Sequence, residues 1–264
     1  MYNGSMLIGI KVGSSLLTDD KGVSSEYIAS LCRQIAELKS LGHRVFLVTS
    51  GAVASESFQG FSDNLRAAIG QVALMSEYRK FFEVFNLKAA QFLVNDADLR
   101  RDKFSRKEPV GFLTFMEVFS HKSVVPIINA NDVTSYKELE ALSVCADNDR
   151  LSKLICERLG TVDIMIIGMD EEGLRDESGN IMRQISPRAQ IHESIDNLDL
   201  LLSFVNGCSE KGHGSDGMRT KISVAYRLAE RGIKVVLAPG REKDFILRAV
   251  AGEENFGTTF CRSK

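Results

Sequence analysis

The amino-acid sequence predicts an α/β fold with a mainly parallel sheet that helices cover on both faces. Short apolar runs rich in valine and isoleucine recur along the chain, and segments with a helical period separate them. Near-continuous apolar runs of this length are typical of strands that are buried on both faces. Because strands that alternate with helices return to the sheet in the same direction, we expect parallel pairing.

The elements are predicted in the following order. Strands are expected at residues 7–12, 44–50, 124–129, 164–168 and 234–240. Apolar positions three and four residues apart predict helices that end at glycines, which tolerate the left-handed conformation of a helix C-terminus. These glycines are Gly42, Gly160 and Gly232. The polar segment 172–197 predicts a hairpin around Gly179.

One more helix is predicted at residues 63–85, and its apolar side chains have two interpretations. Apolar residues on one face of a helix need a surface to pack against. We expect Ile69, Val72, Met75 and Phe82 to pack in the core, and contact with a second subunit is the alternative.

Composition and charge exclude several classes of function. The 264 residues are 44% hydrophobic and 26% charged, which fits one large α/β domain or two closely joined lobes. A formal charge of -2 argues against nucleic-acid or membrane binding. Five scattered cysteines indicate a reducing, cytoplasmic location, and the spacing of the histidines predicts no metal site.

Small and polar residues follow the predicted strands. They are GSS at 13–15, SGA at 50–52, AND at 130–132 and GMD at 168–170. In an open α/β sheet, ligands bind in the crevice outside the carboxyl ends of the strands. The sequence therefore predicts a ligand site at this edge of the sheet.

Lys11 lies inside an apolar strand, between Ile10 and Val12. A buried lysine needs an anion nearby, and the following Gly13 can bring backbone N–H groups toward a phosphate. The alternative is that Lys11 lies on an edge strand and points to solvent.

Asp147 and Asp149 flank Asn148 where a helix is predicted to begin. One carboxylate suffices as the helix N-cap, so the second is free to hold lysines in place. The alternative is one cap and one solvent-exposed partner.

The glycine-rich stretch KGHGSDGMRTK, residues 211–221, is not a P-loop. That motif requires a glycine directly before its lysine and a serine or threonine directly after it, whereas here Thr220 precedes Lys221. The stretch is either a flexible turn before a helix or part of another nucleotide-binding architecture.

Ordered motifs along nearly the whole chain resemble the amino acid kinase family, and within it the glutamate 5-kinases. The motifs are IKVGSSLL (10–17), VTSGAVA (48–54), VPIINANDV (125–133), ADNDRLSKL (146–154), MDEEGL (169–174) and GSDGMRTK (214–221). Several motifs in a consistent order are far more specific than any one of them.

The resemblance implies a three-layer αβα sandwich with a central mainly parallel sheet. It implies a single domain over 6–264, with an acceptor lobe at about 6–160, a nucleotide lobe at about 161–264 and no PUA domain. The implied reaction transfers the γ-phosphoryl group of ATP, which carries Mg²⁺, to the side-chain carboxylate of L-glutamate, the first step of proline synthesis. A dimer or tetramer and feedback inhibition by proline are also implied. The alternatives are another family member with a different small acceptor and a non-catalytic nucleotide-binding paralogue.

The family motifs also assign residues. By this match, Lys11 and Lys221 bracket the transferred group and Asp149 orients both lysines. The residues assigned to the acceptor are Ser50, Asp132 and Asn148. The residues assigned to the nucleotide are Lys11, Met169, Asp170, Ser215, Asp216, Gly217, Met218, Arg219, Thr220 and Lys221.

Three residues depart from the family pattern. Ala130 replaces a glutamate near the acceptor, and Met169 replaces a threonine at the nucleotide. Asp216 replaces a small residue beside the expected phosphates, where like charges repel. These departures affect the expected turnover rate and nucleotide affinity more than the reaction class.

Overall fold

A computed structural model describes residues 4–19, 22–53, 60–99, 108–134, 147–187, 197–207 and 215–262. The strands are β1 (Leu7–Val12), β2 (Thr18–Asp19), β3 (Gly22–Val23), β4 (Arg44–Thr49), β5 (Lys88–Val94), β6 (Val124–Ala130), β7 (Ile164–Met169), β8 (Gln184–Ile185), β9 (Lys234–Pro239) and β10 (Thr258–Phe260). The helices are α1 (Ser14–Leu17), α2 (Ser25–Ser40), α3 (Asp63–Val84), α4 (Asp96–Leu99), α5 (Val110–Val118), α6 (Asn148–Leu159), α7 (Asn197–Gly207), α8 (Ser215–Glu230) and α9 (Phe245–Ala251).

Eight of the strands form one sheet in the order β5-β6-β4-β1-β7-β9-β10-β8. Its pairs are parallel except for β10, which runs antiparallel to β9. The predicted α/β class with a mainly parallel sheet is therefore confirmed. Because β1 pairs with β7, strands from both halves of the chain form one continuous sheet.

Helices cover both faces of the sheet, each over its own hydrophobic core. One core joins apolar side chains of the sheet to those of α2, α3 and α9. The other joins the opposite face to α5, α6, α7 and α8. Neighbours in β1 show the alternation, since Leu7 belongs to the second core and Ile8 to the first. The three layers match the expected sandwich.

The predicted helix ends and hairpin are confirmed. Gly160 has a left-handed φ of 66° where α6 ends, and Gly232 has a φ of 88° directly after α8. Gly179 has a φ of 81° in a turn between Arg175 and Ile181, which pair in an antiparallel bridge.

The outer face of α3 corrects one prediction. Phe82 is buried and Met75 packs against the core, as expected. Ile69 is 39% exposed and Val72 is 68% exposed, so the prediction of core packing is wrong for these two residues. With Leu65, which is also exposed, they form an apolar stripe along the solvent face of the helix.

The sequence did not predict β5. This strand lies at the edge of the sheet, and several of its side chains are exposed. Its sequence KAAQFLV has a single β-branched residue, so it lacks the composition of the central strands. In the described ranges, no helix has the length and apolar character needed to cross a membrane.

The cysteines that the structure describes are unpaired thiols. Cys32 and Cys156 are buried, and burial raises the pKa of both. Such thiols pack as small apolar groups and are poor nucleophiles. Cys145 and Cys208 lie outside the described residues.

Candidate active site

Lys11, Asp149 and Lys221 form a three-residue ion cluster at the carboxyl ends of the central strands. The amine Nζ of Lys11 lies 2.7 Å from Oδ1 of Asp149, and Nζ of Lys221 lies 3.3 Å from Oδ2 of the same carboxylate. The three residues come from β1, α6 and α8. Two ammonium groups share one carboxylate, so the cluster carries a net charge of +1.

The cluster is almost completely removed from water on the Lys11 side. Lys11 is 4% exposed and Asp149 is 3% exposed. β1 lies between β4 and β7, so the alternative that Lys11 points to solvent from an edge strand is wrong. A buried net positive charge favours binding of an anion, and a phosphoryl group fits that requirement.

The start of α6 positions the cluster. Asp147 is the N-cap, and its side chain accepts a hydrogen bond of 2.8 Å from the backbone N–H of Asp149. This cap leaves the Asp149 side chain for the two lysines. One carboxylate therefore starts the helix and the other organises the cluster.

Asn148 joins the same helix start to the residues assigned to the acceptor. Its Nδ2 donates to Oγ of Ser50 at 3.1 Å and to Oδ1 of Asn129 at 3.0 Å. Its Oδ1 accepts from the backbone N–H of Ala130 at 3.2 Å. Because Asn148 and Asp149 are consecutive residues, the residues assigned to the acceptor lie next to the ion cluster at the first turn of α6.

Asp132 lies in the turn after β6 and is held by α3. The side chain of Asn64 donates to the backbone carbonyl oxygen of Asp132 at 2.7 Å. Ala130, where the family has a glutamate, is buried, and its backbone N–H contacts Asn148. The turn at 50–52 contains Gly51 with a φ of 98°, and residues 54–59, where the sequence continues the small-residue motif, lie outside the described residues.

The residues assigned to the nucleotide fall into two groups around β7 and α8. The side chain of Met169 is buried in the hydrophobic core, so the structure does not place it on the crevice surface. Asp170 is exposed at the end of β7, and its Oδ1 accepts a hydrogen bond of 2.7 Å from Nε of Arg241. The same Arg241 donates from a terminal nitrogen to the carbonyl oxygen of Ser15 at 2.6 Å.

Arg241 therefore links the ends of three neighbouring strands, β1, β7 and β9. Leu16, next to Ser15, fits against two glycines, Gly168 in β7 and Gly240 directly after β9. A Cβ atom added at Gly240 would lie 2.5 Å from a methyl group of Leu16, and one at Gly168 would lie 3.0 Å from it. The lack of a side chain at both positions lets Leu16 of α1 pack this closely.

The second group lies at the start of α8. The helix begins at Ser215, and Lys221 lies in its second turn with Nζ 3.4 Å from the carbonyl oxygen of Gly217. Met218 packs against the core, and Arg219 donates to the carbonyl oxygen of Leu202 at 3.4 Å. The side chains of Ser215 and Asp216 and the whole of 211–214 lie outside the described residues, so the expected repulsion at Asp216 stays a prediction.

Three further polar residues were missed by sequence reasoning, namely Asn129, Gln71 and Arg241. Asn129 closes an apolar strand, which is a signal that the sequence does contain. Gln71 accepts from Nδ2 of Asn129 at 3.0 Å, but it lies in the middle of a helix with no motif around it. No group of three His, Cys, Asp or Glu side chains in the described part of the chain could hold a metal ion.

Comparison with known proteins decides the family. A sequence model of the amino acid kinase family matches residues 6–239. The chain belongs to the amino acid kinase family. The resemblance that the motifs indicated is therefore confirmed.

Among its relatives in the amino acid kinase family are several glutamate 5-kinases. The chain is 34% identical to the glutamate 5-kinase of Dictyoglomus thermophilum over 96% of its own length and 67% of the relative's. For the glutamate 5-kinase of Thermotoga maritima these values are 31%, 97% and 68%. For that of Desulfotalea psychrophila they are 33%, 100% and 69%. The chain thus spans about two thirds of the length of these relatives.

Solved structures share the fold of this amino acid kinase chain at low sequence identity. A UMP kinase from Ureaplasma parvum matches with a TM-score of 0.60 at 10% identity, over 97% of this chain and 99% of the other. An N-acetylglutamate synthase from Neisseria gonorrhoeae, complexed with coenzyme A and N-acetyl-glutamate, matches with a TM-score of 0.66 at 13% identity. That match covers 98% of this chain and 60% of the synthase chain.

Proposed function

We propose that the chain transfers the γ-phosphoryl group of ATP to the side-chain carboxylate of L-glutamate, giving L-glutamyl 5-phosphate and ADP. The observation that carries the proposal is the first turn of α6. There Asn148 binds Ser50 on the acceptor side, while the adjacent Asp149 holds Lys11 and Lys221. The glutamate 5-kinase relatives support glutamate as the acceptor and proline synthesis as the context.

In this reaction a carboxylate oxygen attacks the γ-phosphorus, and the bond to the β-phosphate oxygen breaks. The attacking carboxylate is ionised near neutral pH, so no general base is required. The protein has to place two anions in line and stabilise the negative charge between them. In this proposal Lys11 and Lys221 supply the positive charge, and Asp149, which contacts both ammonium groups, offsets their mutual repulsion and fixes their positions.

The parts of the chain divide between the two substrates. The acceptor is assigned to the N-terminal lobe, where Ser50 and Asn148 donate to its carboxylates and Asp132 accepts from its α-ammonium group. The nucleotide is assigned to the C-terminal lobe, with its phosphates over the start of α8 and beside Asp170. This division into lobes is a functional assignment, since one sheet runs through both.

ATP carries magnesium in the proposed reaction. The described residues provide cations for the phosphates but no cluster of carboxylates for a resident metal ion. Magnesium would be held by the phosphate oxygens of ATP and would supply additional charge neutralisation there. The chain's own contribution is the pair of lysines and the backbone N–H groups at the start of α1 and α8.

Replacing Arg241 tests the nucleotide side. Arg241→Ala removes the link between Asp170 and Ser15, and we expect the KM for ATP to rise about fivefold with a smaller change in kcat, because an exposed ion pair contributes modestly. Steady-state kinetics with varied ATP measures the effect. Arg248→Ala is the matched control, since Arg248 also binds two carboxylates at the surface, those of Glu242 and Glu253. An equal rise in both variants would contradict the role of Arg241.

The apolar stripe on α3 supports a homo-oligomer. Leu65, Ile69 and Val72 are spaced four and three residues apart on an exposed face, which is where a second copy would pack. We expect light scattering to give the mass of a dimer or tetramer for the wild type, and Val72→Glu to lower it toward the monomer. A monomeric wild type at micromolar concentration would contradict this assignment.

Two other functions are distinguished by a substrate panel. Release of ADP is measured with L-glutamate, N-acetylglutamate, L-aspartate and isopentenyl phosphate as acceptors. Turnover of another acceptor in place of L-glutamate would identify a family member of different specificity. ATP binding without turnover of any acceptor would identify a non-catalytic paralogue, for which Met169 and Asp216 are the motivating departures. Feedback inhibition by proline is tested in the same assay.

A further inference from the structure

One face of α3 carries three polar residues at seven-residue spacing, Asn64, Gln71 and Tyr78. Each of them contacts a different residue near the ends of β4 and β6, where the residues assigned to the acceptor lie. Asn64 donates to the backbone after β6, Gln71 accepts from Asn129, and the Tyr78 hydroxyl lies 2.9 Å from the hydroxyl of Thr49, next to Ser50. Seven residues make two helical turns, so the three side chains lie in one row. Helix α3 therefore contacts the ends of β4 and β6 through one polar row.

The middle residue of the row, Gln71, ends a chain of side-chain amides. Oε1 of Gln71 accepts from Nδ2 of Asn129 at 3.0 Å, and Oδ1 of Asn129 accepts from Nδ2 of Asn148 at 3.0 Å. Asn148 in turn donates to Oγ of Ser50 at 3.1 Å. Gln71 is 7% exposed and Asn129 is 1% exposed, so water does not substitute for these bonds.

The donor and acceptor roles along this series of amides are fixed from the Ala130 end. A backbone N–H cannot reverse its role, and that of Ala130 donates to Oδ1 of Asn148. Nδ2 of Asn148 must therefore face Asn129 and Ser50. Asn129 must then accept with its oxygen and donate with its nitrogen, and Gln71 supplies the acceptor for that nitrogen.

These fixed roles determine which way the hydroxyl of Ser50 can donate. Since its oxygen accepts from Asn148, its own hydrogen stays available for another acceptor. A hydroxyl that donates is the form that binds a carboxylate. If Asn129 lost its acceptor, its buried nitrogen would be unpaired, and a flip of that amide would turn this nitrogen toward Nδ2 of Asn148. Two donors would then face each other, which displaces Asn148 from its position against Ser50.

We propose that Gln71 is a positioning residue that keeps Ser50 as a hydrogen-bond donor to the anionic acceptor. Gln71 acts through Asn129 and Asn148, and it has no assigned role in the transfer itself. Its Nε2 is buried with no hydrogen-bond partner among the described residues, so within them the side chain of Gln71 bonds through its oxygen, to Asn129. The inference rests on the proposed glutamate kinase activity.

Kinetics of Gln71→Leu and Gln71→Met test the proposal, and the second variant keeps the length of the side chain. We expect the KM for L-glutamate to rise about tenfold, with kcat and the KM for ATP changed less than about twofold, because a hydrogen bond to a charged group is weakened. Gln34→Leu is the matched control. Gln34 is also buried, but its oxygen accepts from the backbone N–H of Ile246, away from the acceptor side. We expect this variant to lower the Tm without changing either KM.

A double-mutant cycle with Ser50→Ala distinguishes positioning from a merely structural role. If Gln71 acts through Ser50, the double variant Ser50→Ala, Gln71→Leu has the same KM for L-glutamate as Ser50→Ala alone. Independent tenfold effects that multiply would overturn the proposal, as would an unchanged KM in both single Gln71 variants or an equal rise in both KM values. A wild type that does not phosphorylate L-glutamate would overturn the proposed function itself, and this inference with it.

Discussion

Lys221→Ala is expected to lower kcat at least 100-fold while the protein stays folded. The substitution removes one of the two cations at Asp149, so the cluster changes from a net charge of +1 to neutral. Removing a single group that stabilises developing charge in a transition state lowers the rate by a factor of about 10²–10³. Lys221 is partly exposed, and Asp149 keeps its contact with Lys11, so we expect only a small loss of unfolding free energy.

Comparison with a second lysine makes this prediction specific. Lys153 lies on α6, one turn beyond Asp149, and pairs with Glu157 at 2.8 Å. Lys153→Ala also removes a positive charge close to Asp149, but one that pairs with Glu157, and we expect less than about a twofold change in kcat. Both variants are measured by ADP release at saturating substrates, with circular dichroism as the check on folding. A Lys221→Ala variant as active as Lys153→Ala would remove Lys221 from the mechanism.

Asp149→Asn is expected to affect both activity and stability. The amide cannot balance two ammonium groups, so the buried Lys11 loses its counter-charge. Removing one partner of a buried ion pair costs about 3–5 kcal/mol in unfolding free energy, and we expect the lower end because Lys221 can turn toward solvent. We also expect kcat to fall at least 100-fold, since neither lysine is held in place. Urea unfolding and the ADP assay measure the two effects.

Asp147→Asn is the control for this variant. Asp147 lies two residues away and caps the same helix, and asparagine caps helices about as well as aspartate. We expect the unfolding free energy to change by less than about 0.5 kcal/mol and the activity to stay near the wild-type level. Equal losses of stability and activity in Asp147→Asn and Asp149→Asn would show that the negative charge of Asp149 is not what the two lysines require.

The fold was predictable where each strand carries its own signal. The five central strands are apolar on both faces, and three of the helices end at glycines in the left-handed region, so local pattern and observed structure agree. β5 gave no such signal, because an edge strand buries only part of its surface. The outward direction of Ile69 and Val72 was not predictable from periodicity either, since the whole of α3 is rich in apolar residues on several faces.

The candidate site was predictable where its residues lie in contiguous motifs. Lys11, Asn148 and Asp149 are polar residues at the end of a strand or the start of a helix, and the structure brings them together with Lys221 and Ser50. Gln71 and Arg241 were not predictable in this way. Gln71 meets Asn129 across 58 positions and Arg241 meets Ser15 across 226, so their contacts depend on how the layers pack.

The formation of an acyl phosphate tests the central claim most directly. The protein is incubated with ATP, magnesium, L-glutamate and hydroxylamine, which converts glutamyl phosphate to a hydroxamate and releases phosphate. Added iron(III) forms a coloured complex with the hydroxamate. We predict hydroxamate and ADP in equal amounts, both dependent on L-glutamate and both lost in Lys221→Ala. A folded wild type that gives neither product at high enzyme concentration would contradict the assignment of this chain as a kinase of L-glutamate.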